Sequence, residues 1–174
     1  MIFRQMQVTE SGLLRQIDRS ETIGKIYKMN DGELEAVAAG HECPTWDEAH
    51  SVELIERFEK EIAGGGFAYG AFDGETLAGF GVLGHRFRGT NLDQLQVDLM
   101  YVSRSYRRQG IGTRIMMELG KEAKERGASY LYISSTETES AVNFYMSSGG
   151  EITSQVDEEL FQLEPEDIHM LKKL

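Results

Sequence analysis

The stretch SYRRQGIGTRIMM, residues 105–117, decides how this chain is read. It holds Arg107, Arg108 and Arg114, with Arg104 just upstream, and it contains Gly110 and Gly112 but no acid. Yet the 174-residue chain carries a net charge of -11. The stretch lies between an apolar run, LQVDLMYVS (95–103), and a helical repeat in which Ile111, Ile115, Leu119 and Ala123 share a face. A helix start presents unpaired N–H groups and a partial positive charge. Glycines let the backbone approach a ligand closely, and arginines add fork-shaped donors. Together these predict an anion site, with a pyrophosphate as the natural guest. The P-loop spacing is absent. The dinucleotide fingerprint G-x-G-x-x-G fails, because its third position is Ile115. What remains is Arg107-x-x-Gly110-x-Gly112.

Working outward, the segment SYLYISS (129–135) after Gly127 reads as the next strand, completing a strand–helix–strand unit. ESAVNFYMSS (139–148) reads as a short helix ended by Gly149 and Gly150. Upstream, Asp73-Gly74 separates two alternating runs within 67–84, a hairpin signal, and Asn30-Asp31-Gly32 separates TIGKIYKM from ELEAVA in the same way. FRQMQV reads as a first strand and VTESGLLRQI as a short helix with Thr9 as its N-cap. The spacing of Val52, Ile55, Phe58 and Ile62 predicts a helix over 47–62. EITSQV and DIHMLKKL read as closing strands, and DEELFQLEPED (157–167) as a solvated acidic face or, alternatively, as the rim of an amine pocket. The order is mixed α/β, with antiparallel hairpins first and the strand–helix–strand unit at the centre.

Composition narrows the function. At this length one domain is predicted, large enough for a real core. The acidic excess argues against nucleic-acid binding, which relies on Lys and Arg to neutralise phosphate, and suits a cationic substrate. No run is apolar enough to span a membrane, and MIFRQMQVTE lacks a signal-peptide core. With Cys43 as the lone cysteine, a cytoplasmic location is the default expectation. His41, His50, His85 and His169 are scattered without metal-ligand spacing, and no G-x-S-x-G elbow occurs.

Arg107-x-x-Gly110-x-Gly112, placed directly after LMYV, resembles the [Q/R]-x-x-G-x-[G/A] signature of the GCN5-related N-acetyltransferase (GNAT) family. SAVNFYMSSGG resembles that family's A-x-x-F-Y-x-x-x-G-F ending, with Ala141, Phe144, Tyr145 and Gly149 in register. Gly150 stands where Phe is usual, and Thr138 where Asn is common. The resemblance implies an α+β fold with a central mixed, mostly antiparallel sheet flanked by helices and two splayed central strands. It divides one domain, 1–174, into a variable acceptor-side part (1–65), a cofactor-binding core (66–150) and closing strands (151–174).

The resemblance further implies acetyl-CoA as cofactor and a small-molecule amine as substrate, acetylated directly in a ternary complex. A protein or peptide N-acetyltransferase and a non-catalytic acyl-CoA-binding module are the alternatives. By position, the N–H groups of Arg107, Arg108, Gln109, Gly110, Ile111, Gly112 and Thr113 would hold the pyrophosphate. Edge groups of Met100 and Val102 would pair with the pantetheine arm, the Met100 N–H meeting the developing oxyanion. Asn143 is a further contact to the cofactor arm. Tyr145 is the matching general acid for the departing sulfur. Asp98, two residues before Met100 and so expected on its face, is the first choice of base, with Asp93, just before the strand, as the fallback. An exposed closing strand would let a homodimer form by strand pairing, as in the family.

Overall fold

The turn residues partition the chain much as they do on paper. The computed structural model describes residues 1–174. Strand β1 (Ile2–Gln5) is followed by a 3-10 helix (Val8–Gln16), then β2 (Glu21–Asn30) and β3 (Glu33–Cys43). Helix α1 (Glu48–Ala63) leads to β4 (Phe67–Asp73), β5 (Thr76–Arg88) and β6 (Gln94–Val102). Then come α2 (Ile111–Glu125), β7 (Tyr130–Ser135), α3 (Glu139–Ser147), β8 (Gly150–Ile152), α4 (Glu158–Leu163) and β9 (Ile168–Lys173). Seven strands form one sheet in the order β1-β4-β5-β6-β7-β9-β8, while β2 and β3 form a separate hairpin. Only β6 and β7 run parallel; α2 joins them, as a parallel pair requires. No helix is long and apolar enough to cross a membrane.

Each face of the sheet carries its own core. Ile111, Ile115, Leu119 and Ala123 of α2 pack with Leu95, Val97, Leu131 and Ile133 on one face. Leu54 and Phe58 of α1 pack with Met6, Leu14, Phe80 and Leu99 on the other. Gly81 lets α2 lie close to β5, since a Cβ there would sit 2.6 Å from Ile115 Cγ2. Gly81→Val is therefore expected to cost about 2–3 kcal/mol through overpacking. That is roughly 5–10 °C in Tm at this chain length, measurable by thermal melting followed by circular dichroism.

β6 changes faces part-way along. Val82 pairs with Leu99 and Leu83 with Val97, so Asp98 is the extra residue of a β-bulge. Before the bulge, Leu95 and Val97 face α2; after it, Leu99 and Tyr101 face α1. Met100 therefore faces α2, its Cε lying 3.1 Å from where a Gly81 Cβ would be.

Several local expectations are corrected. Thr9 is not the cap of the first helix. Gln7 is, in a capping box with Glu10 that also captures Arg4. Val52 is 39% exposed, because α1 buries Ser51, Leu54 and Phe58 instead. The acidic run 157–167 contains α4, capped by Asp157 and anchored through Leu160. Arg88 pairs with Asp157 at 3.1 Å, and Arg86 with Glu159, so this face is tied down rather than simply solvated. The closing strand β9 is interior, between β7 and β8, and the three-residue β8 forms the sheet edge.

Candidate active site

The β6–β7 ladder stops early. Pairing covers Gln94↔Tyr130 to Gln96↔Tyr132 and no further, so the rest of β6 parts from β7. The Ser103 N–H donates to Ala78 O at 2.9 Å, on the β5 side. N–H directions alternate along a strand. Those of Met100 and Val102 thus point the other way, into the gap, where an extended ligand arm can pair with them as an added strand.

The glycine-rich loop opens at the same end of the gap. None of the N–H groups from Arg108 through Thr113 donates to a backbone carbonyl; the bonding resumes with Arg114 N–H to Gly110 O at 3.1 Å. Arg108 (φ 62) and Gly110 (φ 79) both take the left-handed conformation, which gathers successive N–H groups into a concave anion site. Gly112 has a different task. A Cβ there would lie 3.0 Å from the Phe144 ring, so this glycine lets α3 close against the start of α2. The backbone of the loop thus fits a pyrophosphate.

The arginine side chains divide their labour against expectation. Arg107 does not face outward as a phosphate ligand. Its Nε donates to Val102 O at 3.0 Å and its Nη1 to Ser20 O at 3.1 Å, tying the loop to β6 and to the start of β2. Arg114 lies over the Phe3 ring at 4.1 Å. Arg104 reaches Ser20 Oγ at 3.5 Å. Arg108 alone is exposed and without a partner. Arg107→Lys, which loses the fork, is expected to cost about 1–3 kcal/mol of stability. Arg108→Ala should leave Tm unchanged and weaken CoA binding several-fold, by losing one charge-assisted contact. Melting curves and calorimetric titration separate the two.

Tyr145 is only 9% exposed, in the α2-side core with Ile168 and Met170. Burial pushes its phenol well above the ordinary value, and the nearby Tyr101 and Asp167 add to this. It stays protonated at neutral pH. Asn143 is exposed and its Oδ1 accepts from Tyr27 O–H at 3.3 Å, so it also helps to hold β2 over α3.

Asp98 does not share a face with Met100, because the bulge intervenes. It turns toward α1, where Arg57 takes both carboxylate oxygens: Nη2 to Oδ1 at 2.8 Å and Nε to Oδ2 at 3.1 Å. Burial opposes the Arg57 charge, but its hydrogen bonds and attraction to Asp98 prevail, and its pKa is raised. The Arg57 fork thus engages both oxygens of the carboxylate.

Sequence reasoning did not single out one further acid. Asp167, at the entry to β9, accepts from Ser134 Oγ at 2.8 Å on Oδ2 and has no ion-pair partner. Burial raises its carboxyl to about 6. The Ser134 bond opposes this, Glu164 and Glu137 reinforce it, and Arg57 opposes it. The sequence signal was Ser134 near the end of one predicted strand and Asp167 at the start of another, and it is weak. No group of three His, Cys, Asp or Glu is placed to hold a metal.

Comparison with known proteins agrees with this geometry. No curated protein sequence matches the chain significantly. Among solved structures, a nourseothricin acetyltransferase is similar with TM-score 0.74 and 19% identity, over 99% of this chain and 97% of that one. The PaiA N-acetyltransferase of Thermoplasma acidophilum, solved with coenzyme A, gives 0.65 and 18% over 99% and 98%. An aminoglycoside 6'-acetyltransferase type Ii gives 0.65 and 20% over 99% and 97%. The model of the acetyltransferase (GNAT) family matches residues 30–149, which spans the gap, the N–H cradle and Tyr145. The chain belongs to the acetyltransferase (GNAT) family.

Proposed function

We propose that this chain transfers an acetyl group directly to a primary amine of a small molecule, with donor and acceptor bound together. The observation that supports this most is the unpaired gap between β6 and β7. On one side of it lie the free N–H groups of Arg108 to Thr113. Tyr101 and Asp167 both lie near enough to the Tyr145 phenol to raise its pKa.

Acetyl-CoA, when bound, supplies an activated acyl group. The chain's own residues do the rest. The N–H groups of Arg108 to Thr113 bind the pyrophosphate. The edge groups of Met100 and Val102 hold the pantetheine arm extended. The Met100 N–H would meet the carbonyl oxygen on which charge develops, as a preorganised donor. Tyr145 gives its proton to the departing sulfur.

The roof supports a small acceptor. Tyr27 N–H donates to Glu137 O at 2.7 Å, and Ile26 bridges Thr138, so the β2–β3 hairpin is fastened over the end of β7. That arrangement disfavours the long open groove a peptide substrate needs. Calorimetric titration with acetyl-CoA should show micromolar binding, about -8 kcal/mol. A panel of small amines and lysine peptides, assayed for free thiol release, should then show turnover on small amines alone. Turnover on peptides only would overturn the assignment, and cofactor binding with no turnover on any amine would make the chain a binding module.

A further inference from the structure

Asp167 lines a cavity of about 640 Å³ between the tip of the β2–β3 hairpin (Lys28, Met29), Phe161 of α4 and the start of β9. That volume suits a small-molecule acceptor. Met29, Val156 and Phe161 at its rim are 42–45% exposed, an apolar edge that an isolated enzyme leaves open to water. One wall also holds an orphan. Tyr132 Oη accepts the Asp157 N–H at 2.8 Å, so its own proton goes to His169 Nδ1 at 2.6 Å. The neutral His169 ring then carries its hydrogen on Nε2, which is buried without a partner, on a residue 5% exposed. Burial keeps this imidazole neutral by lowering its pKa. A buried donor left unpaired calls for an acceptor atom from outside the chain.

We propose that this cavity is the seat of the amine acceptor and that Asp167 is its general base, with His169 Nε2–H binding a polar oxygen of the acceptor. The inference rests on the acetyl-transfer reading and deepens it. Asp167 and His169 are two apart at the start of β9 and thus lie on one side of the strand. Ser134 fixes one oxygen of Asp167 and leaves Oδ1 free. The charged groups around it are Glu164 beside α4, Glu137 after β7, Arg57 of α1, Glu166 and, across the cavity, Lys28 of β2. Three of these five are acids, which draws in an ammonium. The acceptor is therefore a cationic primary amine carrying a hydroxyl or carbonyl group, as in amino alcohols and amino sugars.

The step balances as follows. The ammonium gives a proton to Asp167 Oδ1. The freed amine nitrogen bonds to the thioester carbonyl carbon as the carbon–sulfur bond breaks. The sulfur takes the Tyr145 proton, and the second amine proton returns to Tyr145. Asp167 releases its proton to water, so one proton leaves per turnover.

The test is Asp167→Asn, assayed with amino-sugar and amino-alcohol acceptors against pH, alongside acetyl-CoA titration. We expect kcat/KM near pH 7 to fall by about 10²–10⁴-fold with the acetyl-CoA Kd unchanged. The wild-type rise through about pH 6 should be lost in the variant. His169→Phe should raise the amine KM about tenfold, the effect of one hydrogen bond. Stability supplies a readout that needs no acceptor. A carboxyl whose pKa is raised in the folded state stabilises the fold below its unfolded value of 3.8 and ceases to as pH rises through about 6. Asp167→Asn should therefore melt higher than wild type at pH 8, with the difference vanishing near pH 4. A wild-type pH profile in Asp167→Asn, or an unchanged KM in His169→Phe, overturns the proposal. Failure of wild type to acetylate any of these amines while binding acetyl-CoA overturns the small-amine reading itself.

Discussion

Tyr145→Phe should lower kcat by about ten- to 10⁴-fold, the range for losing one general acid, while the acetyl-CoA Kd stays nearly unchanged. The substitution is clean for a structural reason. Tyr145 is packed by its ring, 5.2 Å from the Phe144 ring in an edge-on arrangement, and the phenylalanine keeps that contact. The hydroxyl holds no protein partner, so its removal leaves no orphaned donor or acceptor behind. Burial keeps the phenol protonated, which is what a proton donor to a departing thiolate requires. Steady-state kinetics across pH, with melting as a control, decide the matter. Unchanged turnover at every pH would remove Tyr145 from the mechanism and leave the sulfur to depart unassisted.

Gly112→Asp should abolish acetyl-CoA binding, a loss of roughly 10³-fold or more. Two effects combine. The new Cβ lands 3.0 Å from Phe144 Cε2 and 3.2 Å from Cζ, so α3 must give way. The new carboxylate then stands among N–H groups meant for phosphate, where a like-charge pair at about 4 Å costs about 4 kcal/mol near a protein surface, roughly 10³ in affinity. Gly112→Ala carries the steric part alone and should bind weakly rather than not at all. Calorimetry on the two variants separates packing from charge. Retained micromolar binding in Gly112→Asp would mean that the loop is not the pyrophosphate cradle.

The strand–helix junction was legible because glycines, apolar periodicity and the absence of acid all mark one short stretch. The hairpins were legible for a similar reason, since Asp73-Gly74 and Asn30-Asp31-Gly32 interrupt clean alternation. The bulge at Asp98 was not. It inserts one residue without any glycine or proline to announce it, and counting by twos through it puts Asp98 on the wrong face. Arg57 was hidden in a polar helix surface, where nothing in the sequence says which charge reaches the sheet. Asp167 sat in an acidic run that looked uniform. Only the fold shows that Asp157 caps a helix, that Glu159 meets Arg86, and that Asp167 is left without a cation. Charge in a sequence is a quantity, whereas the site depends on which charges find partners.

The bulge has a consequence for how β6 tolerates change. Upstream of Asp98 the odd-numbered positions, Leu95 and Val97, face α2. Downstream the even-numbered ones, Met100 and Val102, do so. A substitution scan along the strand would therefore record two half-strands of opposite parity. Polar replacements would be refused at odd positions up to 97 on account of one core, and at 99 and 101 on account of the other. A single-residue deletion at 98 would remove the extra residue, set Val97 and Leu99 in plain alternation, and leave every side chain beyond it on the face it already has. Such a chain keeps its register and loses only what the phase shift sets apart, the Asp98 carboxylate turned toward Arg57.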